Sequence, residues 1–375
     1  MDVLFWISAL IVAYVYVGYP CLLAAWARIA DRRPRVAPFE AGKWPSISIV
    51  IAARNEAHRL PSRIRNLLEQ EYPGRCEIIV VSDGSTDAPG AALAAFGAAV
   101  RLIEVAAGGK PLALNAGVSA ATGDVLVFAD ARQRFAPGAL TALVSNLSDP
   151  SVGGATGELL LDCEEPHRVE TSVGEGIGLY WRYEKWLRRN ESRVWSTLGA
   201  TGAIYALRRS SWTPLPASAL LDDVLAPMRA LLAGSRIVFD DRAIAYDQAS
   251  VDAAAESRRK TRTLAGNYQI LAQEPRLLLP VVNPVWLQYV SHKIGRLIVP
   301  WALLGLFASS LALAPTSVRY ALVLAAQGVF YGLAIAGAMF QARERFVRVA
   351  FTFVVMNFAA VAGLAALRRG REVWR

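Results

Sequence analysis

Three short runs of β-branched and apolar residues constrain this chain most: Ile47–Ile51, Ile78–Val81 and Val125–Phe128. Each is followed by a polar cluster: Arg54-Asn55-Glu56 after the first, Ser82-Asp83-Gly84-Ser85-Thr86-Asp87 after the second, and Asp130-Ala131-Arg132 after the third. Such runs read as strands buried on both faces, because helices cover a parallel sheet from either side. Ligands bind at the carboxyl ends of these strands, so three ends carrying carboxylates and glycine predict one shared site. The intervening pattern is helical. Pro61 suits a first helical turn and Ile64, Leu67 and Leu68 share a face, while Ala88–Ala98 and Lys110–Ala121 supply two more helices. The expected class is α/β, a doubly wound sheet beginning at Ser46.

The two ends of the chain read differently. Hydrophobic residues make up 54% of the 375 and charged residues only 19%, and the apolar excess sits at the ends. Val3–Ala27 is long enough to span a bilayer. It starts after Asp2 and stops at Arg28, Arg32, Arg33 and Arg35, the reverse of a cleaved signal. Those arginines place Arg28 onward in the cytoplasm and the amino terminus outside. Leu297–Leu313, Tyr320–Phe340 and Phe346–Leu367 are further spanning candidates, and packed bundles tolerate a residue such as Pro300. Four full spans would leave Arg368-Arg369-Gly370-Arg371 outside. Either one late segment is re-entrant or interfacial, or the positive-inside tendency fails here. The expected division is an N-terminal span (1–30), a linker (31–45), a catalytic domain (46–252), interfacial helices with a basic cluster (253–296) and a C-terminal membrane region (297–375).

A formal charge of +9 suits anionic lipid headgroups and phosphate-bearing substrates. No basic stretch interleaved with aromatics resembles a nucleic-acid module, so no nucleic-acid partner is expected. Cys21, Cys76 and Cys163 lack metal-ligand spacing and imply neither a disulfide framework nor a zinc site. Ile177–Arg189 reads as a helix. Its Tyr180, Trp181, Tyr183 and Trp186, beside Arg182, Lys185, Arg188 and Arg189, suit either a membrane interface or packing on the sheet. Ala253–Leu279 is a second basic stretch. No G-x-G-x-x-G follows the first strand, which argues against a dinucleotide-binding domain.

In order along the chain, Arg54-Asn55-Glu56, Ser82–Asp87, Gly109–Asn115, Asp130-Ala131-Arg132, Thr201-Gly202-Ala203, Asp222-Asp223 and Arg258–Arg262 resemble the marks of the family-2 inverting glycosyltransferases with a GT-A domain. The resemblance covers roughly Ser46 to Gln269 and is greatest to the membrane branch that includes cellulose, chitin and hyaluronan synthases. It implies a GT-A mixed sheet with one N-terminal and about three C-terminal membrane helices. It also implies a nucleotide-sugar donor, by family habit a UDP-sugar. Glu56 and Asp83 would lie beside base and ribose, where carboxylates accept hydrogen bonds. Lys110, after Gly108-Gly109, would meet phosphate together with free backbone N–H groups.

Asp130 takes the first position of the family's Asp-x-Asp metal motif, whose second position is here Arg132. An arginine pairs with phosphate but repels a cation. A Mg²⁺ or Mn²⁺ is therefore expected on Asp130, the diphosphate and water. Asp222-Asp223 falls where the family has Glu-Asp. Asp223 would be the base that deprotonates the acceptor hydroxyl, with Asp222 raising its pKa. Thr201 and Gly202 resemble the acceptor-side turn. Processive relatives carry Gln-x-x-Arg-Trp; this chain has Arg259 and Thr263 around Arg262. Arg259 and Arg262 still suit the leaving diphosphate, whereas the absent tryptophan weakens processivity.

The expectation is thus a membrane-bound transferase, in a bacterial inner membrane, moving one sugar or a few to a lipid-linked or glycan acceptor from the cytoplasmic side, oligomeric or not. Its rivals are a processive exopolysaccharide synthase and, in another class, a sugar-nucleotide-binding regulator without chemistry. A transporter is weaker still, because the segments after Arg296 carry few polar residues.

Overall fold

The computed structural model describes residues 1–37, 39–40, 42–162, 172–248, 253–340 and 344–368. Cys163, Arg369-Gly370-Arg371 and the side chains of Ile177, Tyr180 and Arg258 lie outside the described residues. The chain begins with α1 (Asp2–Ala13) and α2 (Tyr19–Ile29), joined through a π-helical turn at Tyr14–Gly18. The following segment is laid along the sheet domain. Arg32 N donates to Arg193 O at 2.7 Å, Arg236 Nη2 to Arg32 O at 2.5 Å, and Arg35 N to Asp149 Oδ2 at 2.9 Å.

Eight strands form one mixed sheet, ordered β3-β2-β1-β4-β7-β6-β8-β5. Its parallel half comprises β1 (Ile47–Ala53), β2 (Cys76–Asp83), β3 (Val100–Val105) and β4 (Val125–Phe128). Side chains alternate along each strand. Ile49, Ile51 and Val80 pack with Leu60, Ile64 and Leu67 of α3 (Leu60–Leu68). On the opposite face, Val50, Ile79 and Val81 join a second core. The helix expected over Ala88–Ala98 is cut short. Pro89 opens α4 (Pro89–Leu93), which passes into a 3-10 turn (Ala94–Ala99) broken at Gly97, where φ is +50°. Next, α5 (Lys110–Ala120) supplies Ala113 and Leu114 to the second core, and α6 (Ala139–Ser145) supplies Leu140 and Leu143 to the first.

The other half of the sheet mixes directions. β5 (Arg134–Phe135) and β7 (Tyr205–Arg208) run antiparallel to their neighbours, whereas β6 (Val152–Asp162) and β8 (Arg236–Gln248) pair parallel. Register shifts between Val152 and Gly154 and between Thr156 and Glu158 mark bulges, which bend a strand and increase its twist. Sequence reading misses β8 because Asp240-Asp241-Arg242 interrupts its apolar pattern. In the structure Asp240 is buried, accepting from Asn146 Nδ2 and Arg242 Nη2, each at 2.7 Å.

Between β6 and β7 lies α7 (Ser172–Val194), longer than expected. Its Leu187 and Val194 pack on Tyr19, Leu23 and Ala27 of α2. Then come α8 (Asp222–Leu232), α9 (Ala253–Gln273), the single turn α10 (Trp286–Gln288), α11 (Gly295–Leu313), α12 (Val318–Phe340) and α13 (Arg345–Arg368). Among the described residues four helical stretches are long and apolar enough to cross a membrane: Asp2–Ile29, Trp286–Thr316, Val318–Phe340 and Phe346–Arg368.

Contacts order this bundle. Tyr320 bonds to Asp2 and stacks on Phe5 at one end, while Tyr19 and His292 meet Glu191 of α7 at the other. The final helix departs from a simple up-and-down pattern. Ala359 and Ala360 pack on Leu264 of α9, and a Cβ at Gly363 would lie 2.8 Å from Ala265 N. Its last turns thus lie against a helix of the sheet side.

Candidate functional site

The ends of β1 and β2 are locked together before any ligand arrives. Asn55 adopts φ +55°, and its Oδ1 accepts from Thr86 N at 2.9 Å. Ser85 Oγ accepts from Asn55 N at 3.1 Å, and Asp87 Oδ2 from Ala57 N at 2.7 Å. Glu56 sits on this rim, paired with Arg59 at 2.6 Å. Asp83 is 3% exposed and turns inward, accepting from Gly108 N at 2.7 Å and Gly109 N at 3.0 Å. Gly84 makes this approach possible: its φ is +58°, and a Cβ there would fall 2.6 Å from Ala107. The 106–109 loop is thereby pinned to β2, and Lys110 opens α5.

Lys110 reaches across to three carboxylates. Its Nζ lies 2.9 Å from Asp130 Oδ1 at the end of β4 and 3.3 Å from Asp222 Oδ2 at the start of α8. Burial alone pulls this ammonium down. The charges of Asp130, Asp222 and Asp223 outweigh it and hold Lys110 above its ordinary value. Asp223 accepts from Gly202 N at 3.0 Å, and its own carbonyl accepts from Ala200 N at 2.7 Å. A Cβ on Gly202 would lie 3.3 Å from Asp223 Oδ2 and 3.5 Å from Lys110 Nζ, so only a small residue fits between turn and carboxylate. Burial, followed by the like charge of Asp222, pushes Asp223 up to about 6, with Lys110 opposing. Beneath them the Tyr205 hydroxyl is buried without a hydrogen-bond partner among the described residues.

Arg132 is turned away from this cluster. It pairs with Asp247 Oδ2 of β8 at 2.5 Å, and Gln133 Nε2 donates to the same oxygen at 3.0 Å. Asp247 is the site-lining carboxylate that sequence reading misses. Its only signal is an Asp within a strand that was itself unread. Behind Asp130 the guanidinium of Arg63 is 2% exposed and lies 4.1 Å over the ring of Phe135. Burial pushes Arg63 down to about 9, opposed by Asp130.

The charged groups gathered around Lys110, with Arg132 and Asp247, border a cavity of about 490 Å³. Lys110, Asp130, Arg132, Asp222 and Asp223 line it from the sheet, Thr201 and Gly202 from the turn before β7, and Arg259 and Arg262 from α9. Arg262 Nη2 also donates to Leu220 O at 3.4 Å. Glu56 and Asp83 are not part of its lining; Asp83 acts on it through the loop before Lys110. The cavity continues toward the helix bundle, where Tyr16, Trp181 and Asn357 line it. Trp181 puts an aromatic face in a cavity where Thr263 had suggested none.

Among the described residues no group of three or more His, Cys, Asp and Glu could hold a metal ion. The donor set still fits a cation held by one protein carboxylate. Asp130 is 35% exposed toward the cavity, and Lys110 engages only its Oδ1. Such a cation completes its shell with phosphate oxygens and water, as Mg²⁺ does.

Residues 48–212 match the family description "Glycosyl transferase family 2". An N-acetylglucosaminyltransferase of Mesorhizobium japonicum is 31% identical over 40% of this chain and 35% of its own length. A probable glycosyltransferase of Bacillus subtilis, YdaM, is 27% identical over 60% of this chain and 56% of its own. The chain thus spans about a third to just over half of these two relatives. An N-acetylglucosaminyltransferase of Bradyrhizobium elkanii is 31% identical over 31% of this chain and 67% of its own length. Among solved structures, a mannosyltransferase from Pyrobaculum calidifontis, in complex with GDP-Man and Mn²⁺, superposes with a TM-score of 0.72. That alignment covers 98% of this chain and 100% of the other at 22% identity, and so shows a shared fold. With the mixed GT-A sheet, the ordered motifs and these relatives in agreement, the chain belongs to the family-2 glycosyltransferases.

Proposed function

We propose that the protein is a membrane-bound inverting glycosyltransferase that moves a sugar from a nucleotide donor, a UDP-sugar, to a membrane-associated lipid or glycan acceptor. One observation carries the reading. A half-buried carboxylate with its pKa pushed to about 6, Asp223, shares a cavity with Lys110 and Asp130 at the carboxyl ends of the parallel strands. Direct inversion needs one base for the acceptor hydroxyl and a stabilised leaving group, without a covalent nucleophile. At neutral pH Asp223 is largely ionised yet basic enough to take a proton. Gly202 N orients it, and the small turn at Thr201-Gly202 leaves room for the acceptor.

The donor's diphosphate meets Lys110 in this reading, with Arg259 and Arg262 receiving charge as it leaves. Glu56 stands at the base end, and Asp83 shapes that end through Gly108 and Gly109. A Mg²⁺ or Mn²⁺ on Asp130 would neutralise the diphosphate when bound. Processive synthesis is a second reading, favoured by Trp181 and Tyr16, whose rings line the path from Asp223 toward the bundle. The catalytic domain is assigned to the cytoplasmic side of a bacterial inner membrane, on the strength of the basic residues that follow α2.

The test is a screen of nucleotide sugars for nucleoside-diphosphate release by the purified protein in lipid, with and without divalent metal. One donor class should turn over, and excess chelator should suppress it. If no nucleotide sugar binds or is turned over, the assignment fails. Undiminished transfer in chelator removes the metal alone, and product length separates one addition from many.

A further inference from the structure

Where the cavity enters the helix bundle its character changes. Its walls there are Arg188 of α7, Lys293 and Arg296 at the start of the Trp286–Thr316 stretch, and Tyr16 and Asn357 of two other apolar helices. Arg296 is neutralised by Glu184, which also lies 3.4 Å from His292 Nε2. His292 Nδ1 in turn meets Glu191, which is fully buried and accepts from the Tyr19 hydroxyl at 2.8 Å. Both carboxylates are thus bonded to groups other than Arg188 and Lys293, which act on them through charge alone. Neither of these two side chains has a hydrogen-bond or ion-pair partner among the described residues. With Arg296 they place three cations against Glu184 and Glu191, an excess of positive charge beside helices fit to lie in a bilayer.

Cations near a membrane interior are costly and are kept where an anion offsets them. Basic pockets between membrane helices bind lipid headgroups. We propose that Arg188 and Lys293, supported by Arg296, bind the phosphate of an anionic membrane lipid that carries the acceptor. The proposal rests on the transfer reading above and narrows its acceptor to a phosphate-bearing lipid. The diphosphate of the donor has its own cations at the sheet end, Lys110 and the arginines of α9. A lipid phosphate held by α7 and α11 would leave the attached acceptor group in the same cavity as Asp223, with Trp181 between as a face for an apolar chain or sugar ring. A soluble phosphate would have no use for walls built from Tyr16, Met356 and Ala360.

The full chain in phosphatidylcholine nanodiscs tests this with a matched pair of probes: a short polyprenyl phosphate and the corresponding polyprenol. The phosphate should bind about tenfold or more tightly than the alcohol, the worth of one charged hydrogen bond. Lys293→Met and Arg188→Met should each remove about tenfold of that preference, and Lys293→Arg should restore most of it. Unchanged affinity of the same variants for nucleotide sugar shows that they are folded. Equal binding of phosphate and alcohol overturns the proposal, as does normal phosphate binding by Lys293→Met. Displacement by inorganic phosphate as readily as by the lipid overturns it too, because the source is then soluble. If no nucleotide sugar is used while the Lys293-dependent preference persists, the transfer reading falls and the lipid site stands.

Discussion

The two halves of the sheet solve different problems. In the parallel half, β1, β2 and β4 run apolar from Ile49, Ile78 and Val125 toward their carboxyl ends, and the polar groups at those ends bind one another: Asn55 to Thr86, Asp87 to Ala57, Asp83 to Gly108 and Gly109. In the mixed half, charge enters the strands themselves, with Asp240 and Asp247 buried in β8 and Glu158 in β6. The first half is a cradle whose rim groups are largely paired with one another. The second supplies groups with chemistry left to do, Asp223 and Asp222 at the entrance of α8. A preorganised binding half and a reactive half meet at Lys110, which touches carboxylates from both.

The largest effect should come from the reactive half. Asp223→Asn is expected to lower transfer by about 10³-fold or more while donor affinity stays within about twofold, since a base acts on the proton and not on the donor. Turnover rates beside donor-binding isotherms check it. Near-normal turnover would erase the contrast between the halves. Lys110→Met, at their junction, should cost about 10²-fold in kcat and also weaken donor binding. Removing its charge should move the acid limb of the pH profile upward, because Lys110 lowers the pKa of Asp223.

A change confined to the cradle should behave differently. Gly84→Ala places a Cβ against Ala107 at a positive φ and should cost about 2 kcal/mol of stability. Denaturant midpoints would show this, along with weaker donor binding but a kcat changed far less than by Asp223→Asn. Transfer by the native enzyme should fall as pH drops through about 6, where Asp223 takes up its proton. Asp222→Asn removes a like charge and should shift that limb toward lower pH, with less than about tenfold change in rate at neutrality. Smallest of all should be Asp247→Asn. Arg132, its partner, is 44% exposed, so losing their pairing should cost about 1 kcal/mol in thermal or denaturant melts.

The same contrast explains what could be read from residues alone. Strands of the cradle announce themselves because burial on both faces demands uninterrupted Ile and Val, and their polar ends follow abruptly. Motif order singles out Asp130 and Asp223; the structure pairs Asp130 with Lys110 and sets Asp223 where the lysine's charge acts on it. The role of Asp83 was not. Its carboxylate is turned inward by a loop whose path depends on Gly84, a contact between residues far apart in sequence. β8 hid because Asp240-Asp241-Arg242 looks like a turn until Asn146, from another helix, is seen to satisfy Asp240. From sequence Trp181 suits either a membrane interface or packing on the sheet, since helix periodicity cannot say which neighbour a face meets.

The bonds from Glu191 to Tyr19 and His292 tie three elements together: α2, α7 and the turn that leads into α11. Two of them, α7 and that turn, carry Arg188 and Lys293, so this wall of the cavity is fastened to the bundle like a cutting head bolted above a conveyor. Under the lipid-acceptor proposal, the distance between a lipid's charged head and its reacting oxygen then acts as a gauge. Acceptors too short or too long for it should transfer poorly, whatever sugar they carry.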